Sequence, residues 1–153
     1  EVLIHPQSII HSLVQFTDGS LKAQLGIPDM RLPIIYALTF PERVVTDIPR
    51  PALADIATLT FDKPDTHRFR SLDLARAALT GGGNLPCALN AANEVAVESF
   101  LRNRISFTTI ADTVEYVLEN TSCNNEAALD VYEETDRRSR SLAEEFISKE
   151  GKQ

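Results

Sequence analysis

Two kinds of hydrophobic spacing divide the chain, and one gives way to the other near residue 70. In the first part apolar and polar residues alternate, most clearly where Leu21, Ala23 and Leu25 are separated by polar residues. Alternation places one set of side chains on one face of a strand. In the second part apolar residues recur at the spacing of one helix face. The pattern predicts a strand-rich N-terminal part followed by a helical C-terminal part.

A β-hairpin is predicted between Leu13 and Leu25. An apolar run leads into Asp18-Gly19, a dipeptide typical of a tight turn in which both central residues have positive φ, and the alternating strand follows. Residues 2–4 also have the composition of a strand. Because a strand edge with nothing before it is exposed to unwanted pairing, we expect a C-terminal piece of a longer protein. A mature processed chain is the alternative.

The segment after the hairpin is predicted to be a short helix and then a connector. Pro33 suits the first turn of a helix from Leu32 to Phe40. Four prolines between residues 41 and 64 break any helix there and predict a semi-rigid connector. Within it, residues 57–61 alternate β-branched and apolar side chains, which predicts a short strand that extends the hairpin sheet.

Four amphipathic helices are predicted in the second part of the chain. Ser71 is expected to cap the first, which the glycines at 81–83 end; the second spans residues 84–101. A capping-box pattern at 109–112 begins the third, and the fourth spans residues 127–149. The fold class is therefore α+β, with a hairpin sheet, a proline-rich linker and a C-terminal four-helix bundle. The residues expected to face its core are Leu72, Leu74, Ala75, Ala78, Leu79, Leu89, Ala92, Val95, Ala96, Phe100, Ile110, Val114, Val117, Leu118, Leu129, Tyr132, Leu142, Phe146 and Ile147.

Composition excludes several classes of function. The 153 residues are 43% hydrophobic and 24% charged, as in a soluble globular protein of one domain or one domain with an appendage. A net charge of -7 without a basic cluster argues against nucleic-acid binding. No apolar run approaches the ~20 residues that span a bilayer. Cys87 and Cys123 lack metal-ligand spacing, so we expect reduced packing residues and no metal site.

Polar side chains gather at the ends of the short strands, a pattern that suggests one wall of an active site. His5, Ser8 and His11 belong to this group. A lone strand histidine is more often structural than catalytic, so the residues alone leave both roles open. Ser8 and Ser12 lack the G-x-S-x-G setting of a hydrolase nucleophile. His67 lies in a polar stretch and is expected at the surface.

Met30 allows two interpretations. In the first, Asp29 caps a helix and Met30 packs beneath it. In the second, the polarizable thioether of Met30, beside Pro28, forms an apolar lid against a flat ring such as nicotinamide. The residues alone favour the capped helix.

Three polar features of the helical part have structural interpretations. The glycines at 81–83 follow a helix and lack a phosphate-loop motif, so they are expected to stop that helix. Glu94 and Glu98 could act as paired carboxylates, but a solvated helix face is the usual explanation. Flanking alanines predict that Asn90 and Asn93 are buried amides in a structural contact between the bundle and the preceding domain.

Three segments together resemble the 1-deoxy-D-xylulose 5-phosphate reductoisomerases of isoprenoid precursor synthesis. They are residues 4–12, with Ile-His-Pro-Gln-Ser and His11-Ser12; residues 26–44, with Gly-Ile-Pro-Asp-Met-Arg and Pro-Glu-Arg-Val; and residues 88–94, Ala-Leu-Asn-Ala-Ala-Asn-Glu. They occur in the family's order, and the resemblance extends over essentially the whole chain.

The resemblance implies a three-part enzyme with a nucleotide-binding domain, a catalytic α/β domain and a C-terminal four-helix bundle. Residues 1–40 then end the catalytic domain, residues 41–65 form the linker, and residues 66–153 form the bundle. The whole enzyme is expected to convert 1-deoxy-D-xylulose 5-phosphate to 2-C-methyl-D-erythritol 4-phosphate in the non-mevalonate pathway, with NADPH and Mg²⁺ or Mn²⁺.

The resemblance also assigns roles to individual residues. His11 matches a histidine important for activity, and Ser8, Pro28 and Met30 match residues on the nicotinamide side of the site. The metal ligands, phosphate-binding groups and dinucleotide turn of the family lie upstream of the matched segments, so we expect no metal ligand here and no activity from the chain alone. The family also implies a homodimer, in bacterial cytoplasm or a plastid.

A function of another class is the alternative. The chain would then be a non-catalytic assembly module, in which the hairpin forms a sheet across a two-fold axis and the helical bundle supports it. Its oligomeric state distinguishes this function from the first.

Overall fold

The protein has a mixed α+β architecture, which confirms the predicted class at that level. The computed structural model describes residues 1–150. The elements are β1 (Ile10–Gln15), β2 (Leu21–Leu25), α1 (Arg31–Thr39), α2 (Leu53–Ile56), α3 (Ser71–Gly81), α4 (Leu85–Leu101), α5 (Phe107–Glu119) and α6 (Leu129–Glu150). The chain divides into two compact units, residues 1–64 and residues from Asp65 onward, which we call the hairpin unit and the helical unit. The linker and the four-helix bundle stay predictions.

The hairpin is confirmed, but the turn that joins its strands differs from the prediction. The amide of Gly19 donates to the carbonyl of Phe16 (3.0 Å), and the amide of Phe16 donates to Ser20 (2.9 Å). Gly19 has a φ of +86°, whereas Asp18 is not among the residues with positive φ. The loop is therefore the three-residue kind, a turn followed by a left-handed glycine. Asp18 accepts hydrogen bonds from the Ser20 amide (2.9 Å) and hydroxyl (2.7 Å).

The two further strands expected at residues 2–4 and 57–61 are not formed. Instead, the two segments meet at a single bridge, where Ile4 and Asp62 exchange both backbone hydrogen bonds at 2.9 Å. The short helix α2 precedes the second segment, and Ala57 follows it with a φ of +55°. That left-handed residue interrupts the extended backbone which β-branched composition alone predicted.

The helices of the helical unit begin near the predicted positions, but two of the predicted caps are wrong. Ser71 is the first residue inside α3 and makes no capping hydrogen bond. Ser106, three residues before the predicted cap at Thr109, caps α5 by accepting from the amide of Thr109 (3.3 Å). The end of α3 at Gly81 and the start of α4 after Asn84 agree with the prediction.

The core of the helical unit forms around α4, which contacts α3, α5 and α6. Its small side chains Ala88 and Ala92 are fully buried, and they pack against Val117 of α5 and Ala143 of α6, which are also buried. Small residues let neighbouring helices approach closely, so dispersion contacts accumulate at little cost in side-chain entropy. Three residues expected in this core are exposed instead: Ala75, Leu79 and Leu129.

Asn84 links the start of α4 to the loop between α5 and α6. Its side chain is buried, with its carbonyl accepting from the Asn124 amide (2.8 Å) and its amide donating to the hydroxyl of Thr135 (2.9 Å) and the carbonyl of Ser122 (3.3 Å). Its backbone amide also donates to Asn124 (3.0 Å). The loop lies so close that a Cβ on Gly83 would meet the Asn124 carbonyl oxygen at 2.4 Å.

Arg140 joins α6 to α4 through an ion-pair network. Its guanidinium donates to Asp136 on its own helix (2.8 and 3.0 Å) and to Glu94 on α4 (2.6 Å). These hydrogen bonds favour the charged carboxylates, so the pKa of Asp136 and that of Glu94 lie below their ordinary values.

We expect Arg140→Met to weaken the acid dependence of stability. With Arg140 present, the two carboxylates stabilise the fold above their ordinary pKa values, 4.5 for Glu94 and 3.8 for Asp136. This contribution disappears as the pH falls through the lower folded-state values. In the variant, Tm should therefore fall less between about pH 7 and about pH 3. Thermal unfolding followed by circular dichroism measures the difference.

Arg137→Met provides the matched control, since Arg137 pairs with Glu134 on the same exposed helix face. Exposed pairs within one helix contribute little. An identical acid response of the Arg140 and Arg137 variants would contradict the expectation.

Within residues 1–150, no helix is both long enough and apolar enough to cross a membrane. Cys87 is partly buried and Cys123 is exposed, and both are free thiols. Burial raises the pKa of the Cys87 thiol above its ordinary value.

Candidate functional site

His11 occupies a β-bulge near the start of β1. Ile10 pairs with Leu25 and Ser12 with Gln24, so His11 is an extra residue without a partner in the ladder. Bulges re-aim side chains and are common beside active sites. The imidazole Nε2 lies 3.1 Å from the carbonyl oxygen of Gly26. Because a carbonyl only accepts, Nε2 carries the proton in this contact.

Ser8 and Pro28 lie next to the open end of the hairpin in the chain. The amide of Gly26 donates to the carbonyl of Ile9 (3.0 Å). Beyond this contact the backbone leaves both strands of the sheet. Ser8 comes directly before this contact and Pro28 soon after it, while Met30 follows at the start of α1. Ser8, Pro28 and Met30 are all exposed. We call these three residues the hairpin corner.

Asp29 fixes the backbone of the hairpin corner. Its carboxylate accepts from the Arg31 amide (2.9 Å) and from the Arg31 guanidinium, whose Nη2 is 2.7 Å away. The guanidinium beside it lowers the pKa of the Asp29 carboxyl. The expectation that Met30 packs beneath the helix is wrong, because 73% of Met30 is exposed. The thioether is therefore free to contact a ligand.

A groove of about 690 Å³ runs beside the hairpin and α1. His11 lines this groove, whereas Ser8, Pro28 and Met30 do not. A second cavity of about 470 Å³ is lined by His11 together with His5 and Phe61. His11 thus lines two cavities of the hairpin unit, and the hairpin corner lies outside both.

Two further residues line the groove, although the sequence assigned neither of them a role in the site. The guanidinium of Arg43 lies 4.0 Å from the ring centre of Tyr36, and both side chains line the groove. Such a contact holds a cation over an aromatic face. Tyr36 and Arg43 are seven residues apart in the sequence, with Pro41 between them, so no helix or strand spacing indicates that they are in contact.

His5 forms contacts with a distant part of the hairpin unit. Its Nδ1 lies 2.8 Å from the carbonyl oxygen of Thr60, and its ring stacks on Phe61 with centroids 4.8 Å apart. The Nε2 atom is buried without a hydrogen-bond partner among the described residues. His67, by contrast, is exposed as predicted.

The acidic and amide residues of α4 have separate partners. Glu94 pairs with Arg140 and Glu98 pairs with Arg102 (2.6 Å each), so the two carboxylates form a charged helix face and no joint site. The prediction of buried amides is wrong, because Asn90 and Asn93 are exposed. The amide of Asn90 donates to Glu94 (3.1 Å).

Among residues 1–150, no group of three or more His, Cys, Asp or Glu side chains is placed so that it could hold a metal ion. The hairpin corner presents an exposed proline ring at Pro28, an exposed thioether at Met30 and an exposed hydroxyl residue at Ser8. Thioether sulfur makes favourable contacts with aromatic rings.

The sequence pattern of the DXP reductoisomerase C-terminal domain matches residues 25–142. The chain belongs to the DXP reductoisomerase family. It is 50% identical to the 1-deoxy-D-xylulose 5-phosphate reductoisomerase of Phocaeicola vulgatus over 148 residues, which are 97% of this chain and 39% of that protein. It is 56% identical to the enzyme of Burkholderia mallei over 149 residues, 97% of this chain and 37% of that protein.

Solved structures of DXP reductoisomerases have the same fold as this chain. The enzyme of Zymomonas mobilis in complex with NADPH superposes with a TM-score of 0.88 at 39% identity, covering 96% of this chain and 39% of that one. A DOX-P reductoisomerase in complex with NADPH, fosmidomycin and magnesium gives a TM-score of 0.89 at 38% identity, covering 95% and 38%. The chain thus spans about two fifths of the length of the relatives it matches, and it corresponds to their C-terminal portion.

Proposed function

We propose that this chain is the C-terminal part of a bacterial, cytoplasmic DXP reductoisomerase that converts 1-deoxy-D-xylulose 5-phosphate to 2-C-methyl-D-erythritol 4-phosphate. The observation that carries the proposal is a match over 97% of the chain to 39% of a named enzyme. In this proposal NADPH supplies the hydride, as the complex of the Zymomonas mobilis enzyme with NADPH supports. Mg²⁺ or Mn²⁺ is bound by residues that this chain does not provide.

In this proposal the hairpin corner forms one wall of the nicotinamide pocket. Pro28 and Met30 contact a face of the ring, and the Ser8 hydroxyl offers a polar contact beside it. An apolar wall excludes water from the reacting carbon and orients the ring, which lowers the entropic part of the barrier. His11 holds the carbonyl of Gly26, from which the corner departs, and so acts on its position.

The chain alone should be inactive, and a chimera should be active. The chimera is the Burkholderia mallei enzyme in which the matched C-terminal 149 residues are replaced by this chain. We expect the chimera to oxidise NADPH in the presence of the sugar phosphate and Mg²⁺ or Mn²⁺, because the missing ligands are restored. We expect no oxidation by the chain alone. The absorbance of NADPH measures both.

The control is the same Burkholderia mallei enzyme truncated before the matched region, which should be inactive. Turnover by the isolated chain would refute the proposal that it is only a part of the catalytic machinery. A folded but inactive chimera would refute the assignment of this reaction.

We also propose that the enzyme is a homodimer paired through the hairpin. The hairpin carries large apolar side chains that are exposed, including Val14 (56%) and Leu21 (63%). Its two strands form a sheet with open edges, which are prone to pairing. Sedimentation of the isolated chain tests this arrangement, because a monomer would argue against both the homodimer contact and the alternative function as an assembly module.

A further inference from the structure

Ser8 has a backbone conformation that its surroundings must impose. Its φ is +51°, in the left-handed region, although it is not a glycine. Such a backbone conformation is strained and persists only where neighbouring contacts determine it. Its amide donates to the carbonyl of His5 (3.0 Å), which closes a turn over residues 5–8. The turn therefore needs contacts that hold the backbone before and after Ser8, and we call these contacts anchors.

One anchor follows Ser8, and it belongs to the sheet. The carbonyl of Ile9 accepts from the amide of Gly26 (3.0 Å). Ile10 then enters the ladder opposite Leu25. Residues after Ser8 are therefore held by the hairpin itself.

The other anchor precedes Ser8 and comes from the distant segment 60–62. The side-chain amide of Gln7 donates to the hydroxyl of Thr60 (2.8 Å), while its carbonyl accepts from the Thr60 amide and hydroxyl (3.2 Å each). His5 donates from Nδ1 to the Thr60 carbonyl (2.8 Å). Asp62 completes the contact by its backbone bridge to Ile4. Thr60 thus uses its amide, carbonyl and hydroxyl on the turn.

We propose that Thr60, acting through Gln7, is a positioning residue that holds Ser8 in the conformation with which it contacts the nicotinamide cofactor. This inference rests on the proposed function. Ser8 is the single residue between two anchored points, so loosening one anchor releases its strained φ and moves its hydroxyl. The segment 60–62 then supports the cofactor site indirectly, through the turn over residues 5–8.

The test compares Thr60→Val with Thr60→Ser in the chimera. Valine keeps the size of threonine but loses both hydroxyl contacts to Gln7, whereas serine keeps them. We expect Thr60→Val to raise the KM for NADPH by about three- to tenfold, with kcat changed by less than about twofold, because ground-state binding of the cofactor is weakened. The KM for the sugar phosphate should not change. Serine should restore wild-type values.

Thr58→Val is the matched control, because Thr58 is exposed two residues before Thr60, and the side-chain hydrogen bonds to the turn over residues 5–8 come from Thr60. A Thr60→Val enzyme with the same NADPH KM as the Thr58→Val enzyme would overturn the inference. A Thr60→Val enzyme with lower kcat, lower Tm and higher KM values for both substrates would also overturn the inference, because a purely structural role produces these changes together. An inactive parent chimera would instead refute the proposed function.

The conformational step is tested on the isolated chain, independently of activity. The scalar coupling between the amide and Hα protons of Ser8, measured by NMR, reports its φ. We expect Thr60→Val to change this coupling and to speed amide exchange at Ser8, while Thr60→Ser and Thr58→Val leave both unchanged. An unaltered Ser8 in Thr60→Val would overturn the inference.

Discussion

Replacing His11 by leucine in the chimera is expected to lower kcat/KM by about 10²-fold, because a shift of about 1 Å at a positioning contact costs this much. The imidazole Nε2 bonds the carbonyl of Gly26, and a Cβ on Gly26 would lie 3.8 Å from the same nitrogen. Leucine fills the space but offers no donor. Pro28 and Met30, the two residues of the hairpin corner that follow Gly26, should then lose their orientation. Steady-state kinetics with NADPH and the sugar phosphate measure the loss.

His11→Gln distinguishes a positioning role from proton transfer. The glutamine amide can place a donor near the position of Nε2, so we expect activity within about tenfold of wild type if the hydrogen bond to Gly26 is what matters. An equal loss in both variants would indicate general acid–base catalysis, which is worth about 10²–10⁴-fold. His67→Leu serves as the control, since His67 is exposed in the helical unit and should leave kcat/KM unchanged. Wild-type activity of His11→Leu would contradict both roles.

Gly83→Ala is expected to destabilise the helical unit by about 3 kcal/mol, since left-handed strain and a backbone clash act together. Gly83 has a φ of +54°. Its new Cβ would lie 2.4 Å from the carbonyl oxygen of Asn124 and 2.9 Å from the carbonyl carbon. The loop must retreat, and Asn84 then loses the partners that satisfy its buried amide. Urea denaturation followed by circular dichroism measures the free energy of unfolding.

Gly81→Ala is the matched control in the same glycine run. Gly81 ends α3, and its Cβ would meet only the flexible end of the Leu85 side chain, at 2.6 Å. Alanine also has the higher helix propensity, so we expect a change within about 0.5 kcal/mol. Equal losses at Gly81 and Gly83 would show that the approach of the Asn124 loop is not what requires glycine.

Elements with one dominant local signal were predictable from the sequence. The hairpin follows from alternation around Asp18-Gly19, and the helices follow from apolar spacing and the glycines after Gly81. The turn type was not predictable, since the same dipeptide serves loops of different length. The strand expected at residues 57–61 also failed, because strand formation depends on a partner as much as on composition. The prediction that Ser71 caps α3 was wrong because several polar residues precede the helix, and the sequence does not show which of them comes just before its first turn.

The candidate site was predictable only as a set of residue types. The sequence resemblance singled out His11 and the hairpin corner, and the structure places them at one end of the hairpin unit. Their roles remain predictions. The contacts that organise them were not visible, because Gln7 and Thr60 are 53 residues apart in the chain. Asn84 was recognised as a helix start, but its partners lie 38 to 51 residues away.

His11, the extra residue in β1, determines where a gap belongs when the chain is aligned with its relatives. Before and after His11, successive side chains alternate between the two faces of the sheet. Across His11 this alternation is shifted by one residue, so Ile10 and Leu13 lie on the same face. Counting in twos from Leu13 across His11 therefore assigns the wrong face to the residues that lead to Ser8. A relative without the extra residue would present the opposite set of side chains at the open end, even with an identical β2 and turn. The alignment gap in such a comparison belongs at His11, and placing it in the turn would misassign the residues at the open end.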